Sequence, residues 1–504
     1  MSEKESETNP QSKLLIQEKE EAQELETEIK YGETCYCWFF LIAYSLSAFS
    51  NQVQWVTFSS IATDFSNNYS TPLWKVNMFS LIYMIINLIL GLPEAWMLDK
   101  FSIRFTLIFA AACNIIGSGL KLLVNKDKSL ASCYIGQIIA GLFQPVLTNS
   151  PGKISATWFR EDIRTVITTI GCLAVTTGAL VGFLWNLIFI DEEAEKEKYK
   201  DQVFNYFLSE FILNIVFCVP TFFITKDKPE IPPSPLPEES HIKEPGLIES
   251  LKLLFANFRF ICLLISYLLV VGYFNIMSTI INSLLDLYTI KSSQSSIIYT
   301  VGNIVGMISS LIISRILDIT KKFKLIMIIL SVSGTVFQAV FTFLLELIEK
   351  KDLNAYAIGL VMYSLTNISI ISFYTIGMEY ACEITYPVGE SINGSIMASC
   401  PQILAIALTF LCDYFINHNS KKWISNVILL ILISISIIFV CLLDEKLDRD
   451  EAGKKEIGKE NKNNIKETEV IQVNNIIKLK NILFYILTYT ILLFFSFFRY
   501  IKIV

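Results

Sequence analysis

The chain has 504 residues, of which 53% are hydrophobic and 17% charged, with a mean hydropathy of +0.51 and a net charge of −6. Ordinary soluble domains are less apolar and carry nearer a quarter of charged residues, so that class is excluded. The acidic excess lies in the first 33 residues and in loops, which excludes a nucleic-acid-binding face.

Residues 1–33 are rich in Glu, Lys, Gln and Ser and are predicted to form a disordered cytosolic tail. With no short hydrophobic leader ahead of it, the first apolar span reads as an uncleaved signal anchor. Stretches of about 20 apolar residues then recur, each long enough to cross a bilayer and each obliged to do so as a helix. Six are predicted at 36–60, 74–98, 104–124, 130–151, 166–190 and 203–224.

Residues 226–248 carry six prolines among charges and are predicted to be an irregular, solvated connector. The linker as a whole is set at 226–257. Six more spans follow at 258–285, 295–317, 324–346, 354–378, 391–416 and 423–443. The expected fold class is all-α: a polytopic membrane protein with six-helix bundles over 34–225 and 258–443, a layout that resembles the major facilitator superfamily. Residues 444–504 form a charged tail and then an apolar segment near 481–498. That segment reads as a thirteenth span, an interfacial helix, or an addition to a complete twelve-helix protein.

MLDKFSIRF after the second span and ILDITKKFK after the eighth place an acid and then basic residues at the same point of each half. Asp99, Lys100 and Arg104, echoed by Asp318, Lys321 and Lys324, read as a conformational lock in which a carboxylate at the membrane edge pairs with a cation. Snorkelling interface charges are the plainer alternative. Six of the seven arginines fall on the amino-terminal side, which is therefore expected to be cytosolic, while lysine is nearly balanced. Asn68 opens an Asn-Tyr-Ser sequon on the opposite side.

Cys113, Cys172, Cys218, Cys262, Cys400 and Cys441 lie in apolar spans and imply no disulfide framework. Cys35 and Cys37 are open to palmitoylation or to plain packing. No GxxxxGK[ST] loop, HExxH helix or nucleophile elbow occurs, so no enzyme, metal site or cofactor is expected.

SNQVQWVTFSSI in the first span, FSLIYMIINLILGLPEAWMLD in the second, GQIIAGLFQPVLTNSPGKISATWF in the fourth and EITYPVGESINGSIMASCPQ before the eleventh resemble the feline leukaemia virus subgroup C receptor-related family. The most specific matches are Gln54 with Trp55, Ser80 with Tyr83 and Met84, Pro151 with Ala156, Trp158 and Phe159, and Glu383 with Thr385, Tyr386 and Pro387. The resemblance implies a facilitator of choline and ethanolamine, with haem export as the activity some members of the family were first named for. It also implies a cavity glutamine at Gln402. Two positions depart from the family: its fifth-helix glutamine is Thr176 here, and its seventh-helix tyrosine is Asn275.

Chemistry can be set beside that implication. A quaternary ammonium is held best against aromatic faces, each contributing about 0.5–2 kcal/mol. Trp55, placed midway along the first span beside Gln54 and Asn51, is either such a face or a tryptophan packed between helices. Tyr83, Thr176, Asn275 and Gln402 complete the expected substrate set. Tyr273 lies two residues before Asn275, about 200° around the helix, and does not replace it. Haem is served poorly, because His241 and His418 are in loops and no span interior carries arginine.

Glu210 is read as the one acid inside a span, a candidate for ion coupling or a solvated helix end. Glu94, Glu379 and Glu383 read as hinge and interface carboxylates. The partners expected are a small-molecule substrate and the lipid bilayer, for a monomer in the plasma membrane or an endomembrane. The rival from another class is a membrane receptor or scaffold on the same fold.

Overall fold

In hydrocarbon a backbone N–H or C=O has no water to bond, so an apolar stretch closes its hydrogen bonds within itself, and this chain does so repeatedly. The computed structural model describes residues 35–443 except 101, 126–129, 161–162, 192–193, 230–246, 352–353, 387, 389 and 418–422. All regular elements among the described residues are helical. The predicted tails over 1–33 and 444–504, with the apolar segment near 481–498, fall outside them.

The first span is α1 (Cys35–Val56), continued by a 3-10 turn over Ser59–Ile61 and a short α2 (Ala62–Asn68). The second and third are α3 (Leu73–Lys100) and α4 (Ile103–Lys121). The fourth is split into α5 (Ala131–Gly141) and α6 (Gln144–Trp158), and α7 (Arg164–Phe189) and α8 (Lys196–Phe222) follow. A short α9 (Leu247–Ala256) leads into α10 (Phe258–Asp286), α11 (Ser292–Thr320), α12 (Phe323–Lys351), α13 (Ala355–Ile384), α14 (Glu390–Asn417) and α15 (Trp423–Cys441). Among the described residues, eleven helices have the length and hydropathy needed to cross a bilayer. The 22-residue α1 makes the twelfth, its apolar character lowered by Ser45, Ser47, Ser50, Asn51, Gln52 and Gln54.

Three expectations are corrected. The first span does not run unbroken to 60, because α1 stops at Val56. The fourth does not run unbroken over 130–151 but breaks after Gly141 and continues to Trp158. The sixth begins at Lys196, seven residues earlier than 203. Of the connector expected to be irregular over 226–248, residues 230–246 lie outside the described ones, and α9 fills most of the remaining linker to 257.

Both breaks leave helix-end groups inside the protein, and other helices satisfy them. At the end of α1, Gln137 donates to the Gln54 carbonyl (3.2 Å), Ser80 to that of Trp55 (3.3 Å) and Tyr206 to that of Thr57 (3.4 Å). At the start of α6, Pro145 needs no donor partner, and the Val146 N–H is received by Glu94 Oε2 at 2.9 Å. Caps follow the same economy elsewhere. Asn257 accepts from the Arg259 and Phe260 N–H groups to start α10 while its amide donates to the Ile384 carbonyl at the end of α13.

Helices α1–α8 pack chiefly on one another, as do α10–α15, and the two sets meet through α3 against α14 and α7 against α11. Within the first set α1 and α7 touch backbone to backbone. A Cβ added at Gly178 would lie 2.3 Å from the Phe49 carbonyl oxygen, and one at Gly182 would lie 2.5 Å from Val56 Cγ2, so larger residues have no room there. The face at which α1 starts is termed the near face, and the opposite one the far face.

Candidate transport site

Along α1 the residues Ser47, Asn51 and Gln54 recur at spacings of four and three and so form one stripe. The stripe faces the interior of the first helix set. Asn51 donates to Asn114 Oδ1 (2.7 Å) and to the Ala140 carbonyl (2.9 Å), and Gln54 donates to the Asn114 carbonyl (3.2 Å) and Asn214 Oδ1 (2.7 Å). Both side chains are fully buried. The amide donors of Asn51 and Gln54, expected beside a ligand, are thus spent on α4, α5 and α8.

Trp55 differs from its neighbours. It is only partly buried and packs against the large apolar cluster that runs through both helix sets, and its Nε1 is enclosed without a hydrogen-bond partner. The structure places it in the last turn of α1, which corrects the expected midway position.

On the second set, Asn275 of α10 donates to Gln402 Oε1 of α14 at 3.1 Å, and Gln402 returns its own amide to the Ala398 carbonyl. Two residues chosen from sequence are therefore brought into contact. Tyr273 is buried on another face, bonded to Gln338 at 2.9 Å. Tyr83 is buried against Gly141 with its hydroxyl unpartnered, and Thr176 bonds the Cys172 carbonyl of its own helix at 3.0 Å.

Glu210 is not a lone acid. Lys121, the last residue of α4, reaches its Oε1 at 2.8 Å, and both side chains are essentially inaccessible, at 0% and 1% exposure. The ammonium also lies over the Phe58 ring, 5.8 Å from its centroid. Nor is Glu210 the only acid within a span, for Glu94 and Asp413 are equally buried. Sequence reading passed over Lys121 and Asp413 because a charge within a turn of a span end resembles an interfacial one. Asn114 and Asn214 carried no signal beyond being amides in apolar runs.

Asp413 belongs to a polar seam that closes the far face between the two sets. Asn77 of α3 donates to Asp413 Oδ1 at 2.7 Å. Thr63 donates to Asn282 Oδ1, Asn282 to the Ser60 carbonyl (2.9 Å), Asn186 to Ser296 (3.3 Å) and Thr300 to the Leu180 carbonyl (3.4 Å). Ser399 to the Asn87 carbonyl, at 3.3 Å, is the described bond of this kind lying deepest from that face.

The side chains of Asp99 and Asp318 lie outside what the structure describes, so their pairing with Arg104 and Lys324 stays an expectation. Around Arg104 the first linker residues are strapped to the first set. Ser102 and the Arg104 N–H both donate to Asp227, and the Thr225 and Lys226 N–H groups donate to the Tyr36 hydroxyl at 2.6 and 3.1 Å. Cys37 is buried and Cys35 exposed, so of the two only Cys35 is accessible.

Two helix sets and a polar seam that joins them at one face are the architecture of a multi-pass membrane transporter of the alternating-access class. The family model of the Major Facilitator Superfamily matches residues 40–387, and the chain belongs to that superfamily. It is 28% identical over 422 residues to an uncharacterised MFS-type transporter of Caenorhabditis elegans, covering 82% of this chain and 70% of the relative. It is 24% identical over 440 residues to the choline/ethanolamine transporter FLVCR2 of Homo sapiens (86% and 81% covered) and 26% identical over 421 residues to the choline/ethanolamine transporter FLVCR1 of Felis catus (81% and 73%). Among solved structures it resembles a D-xylose-proton symporter (TM-score 0.60, 11% identity, 81% of this chain and 98% of the other). It likewise resembles an inward-facing bacterial homologue of the lysosomal transporter Spinster (0.58, 13%, 82% and 97%). These two likenesses concern the fold alone.

Proposed function

We propose that this protein carries a small hydroxylated ammonium compound, choline or ethanolamine, by rocking one helix set against the other around a site between them. The observation that carries the reading is Trp55. The amide donors of its polar neighbours Asn51 and Gln54 are spent within the first set, while their side-chain oxygens and the Trp55 Nε1–H lack partners and the indole stays partly exposed. An aromatic face with an unused donor at its edge suits a ligand with a cation at one end and a hydroxyl oxygen at the other. Asn275, which stands where the resembled family has a tyrosine, and Gln402, the glutamine that the resemblance implies, supply the polar counterpart on the second set. The names of the FLVCR relatives support the same cargo class.

Haem finds less support. Its propionates ask for unpaired cations, and the buried Lys121 is committed to Glu210. The near face is assigned to the cytosol, with the seam toward the outside or lumen, and the protein acts as a monomer in the plasma membrane or an endomembrane. Asp99 with Arg104 and Asp318 with Lys324 serve as near-face locks, and no covalent chemistry is involved.

Uptake of labelled choline by proteoliposomes of the full chain tests the reading. Trp55→Ala is expected to lower choline affinity about 5- to 30-fold, equivalent to about 1–2 kcal/mol, and Trp55→Phe to lower it less. Equal affinity in wild type and a correctly inserted Trp55→Ala removes Trp55 from the site, and absence of choline and ethanolamine uptake by wild type overturns the cargo.

A further inference from the structure

Trp55 lies about 100° around α1 from Gln54, so a small rotation of the helix about its own axis carries the indole away from its place. Something must therefore fix that rotation. The contact with α7, where Gly178 and Gly182 present bare backbone to Phe49, Gln52, Val53 and Val56, limits it by close fit rather than by a hydrogen-bonded register mark.

The mark is on the other side. Asn114 of α4, fully buried, touches three successive turns of α1: its Nδ2 donates to the Ser47 carbonyl (3.2 Å), its Oδ1 accepts from Asn51 (2.7 Å), and its carbonyl accepts from Gln54 (3.2 Å). Each contact uses a different atom of one residue, and each has a fixed donor and acceptor sense. A turned α1 would strand all three in a medium without water, where an unmatched amide costs about 1–3 kcal/mol. The network is braced from behind. Asn214, which holds Gln54 at 2.7 Å, donates to the Glu210 carbonyl, and Glu210 is fixed by Lys121.

We propose that Asn114 is the positioning residue of the transport site, setting the rotation of α1 and through it the direction of Trp55. It touches no substrate. The inference rests on the choline reading where affinity is measured, but the orientation of position 55 can be tested without a ligand.

Asn114→Leu keeps the volume and removes the amide, whereas Asn114→Asp keeps the acceptor for Asn51 and loses the donor to Ser47. In the full-length protein, choline affinity is expected to fall about 10-fold for Asn114→Leu and less for Asn114→Asp. In a Trp55→Ala background, Asn114→Leu is expected to change it by less than about 2-fold, since residues acting through one another are not additive. A global loosening of the fold would instead weaken binding equally in both backgrounds, and that result overturns the proposal.

The second arm follows the rate at which the thiol of Trp55→Cys reacts with a maleimide, read by mass on its peptide, with Ile188→Cys on exposed α7 as control. Asn114→Leu is expected to shift the first rate about 10-fold and leave the second unchanged. Unchanged rates at both positions overturn the positioning role whatever the cargo. A shifted rate together with no choline binding by wild type keeps Asn114 as the positioning residue and discards choline.

Discussion

The Tyr44 hydroxyl of α1 donates to the Leu147 carbonyl of α6, the carbonyl that Pro151, four residues on, leaves without its helical partner. A proline inside a helix removes one N–H and so frees one acceptor. Here the acceptor is met from another helix, which joins the second part of the broken fourth span to α1. Tyr44→Phe is expected to lower stability by about 1–3 kcal/mol through the orphaned carbonyl. Thermal unfolding of the purified variant in detergent checks it, and a midpoint equal to that of wild type would mean that α6 satisfies Leu147 in some other way.

Lys121 and Glu210 are a desolvated pair, so removing one partner should cost far more than removing both. Lys121→Met strands the carboxylate and is expected to destabilise by about 3–5 kcal/mol, with most of that loss regained in the Lys121→Met/Glu210→Gln double variant. Equilibrium unfolding of the three proteins gives the comparison. Independent, additive losses would show that the two groups do not act as a pair.

Asn275 and Gln402 share one hydrogen bond across α10 and α14, so their contributions to the proposed site should be coupled. Asn275→Ala and Gln402→Ala are each expected to weaken choline binding by about 1 kcal/mol, roughly 5-fold, with the double variant no worse than the poorer single one. Binding isotherms of the four proteins decide this. Strict additivity would separate the two residues.

Asn77→Leu withdraws the described donor from Asp413 and loosens the far-face seam. A cysteine in place of Ser296, at 0% exposure in the closed seam, should then react with an impermeant maleimide about 10-fold faster, the change expected for a shift of about 1.4 kcal/mol toward the open form. An unchanged rate would show that Asn77 and Asp413 meet without holding the halves together.

Much of the helix plan was legible because hydrocarbon enforces it locally. The seventh span, expected at 258–285, is α10 at Phe258–Asp286, and the boundaries of α7, α14 and α15 follow with similar small shifts. What escaped were features decided by distant residues. The break at Val56 is tolerated because Gln137, Ser80 and Tyr206 arrive from three other helices, and the break before Gln144 because Glu94 arrives from α3. Nothing in SNQVQW announces those visitors.

The candidate site divides in the same way. The residue types around Trp55 could be read, but the direction of Asn51 and Gln54 could not, since rotation about a helix axis is set by partners such as Asn114 and Asn214, 60 and 160 positions away. The contact of Asn275 with Gln402, 127 positions apart, was likewise beyond periodicity.

The far-face seam sets hydroxyls, amides and the Asp413 carboxylate beside the stacked rings of Phe183 and Tyr299, and the polar share of this mixture governs how it parts. Separating two apolar surfaces exposes them to solvent at about 25 cal/mol for every Å² wetted, a penalty that grows with the area uncovered. Separating Thr63 from Asn282, or Asn186 from Ser296, lets water take over each bond nearly like for like. Such bonds are solvent-replaceable: firm in their geometry, shallow in their free energy, and suited to a closure that alternating access must undo in every cycle.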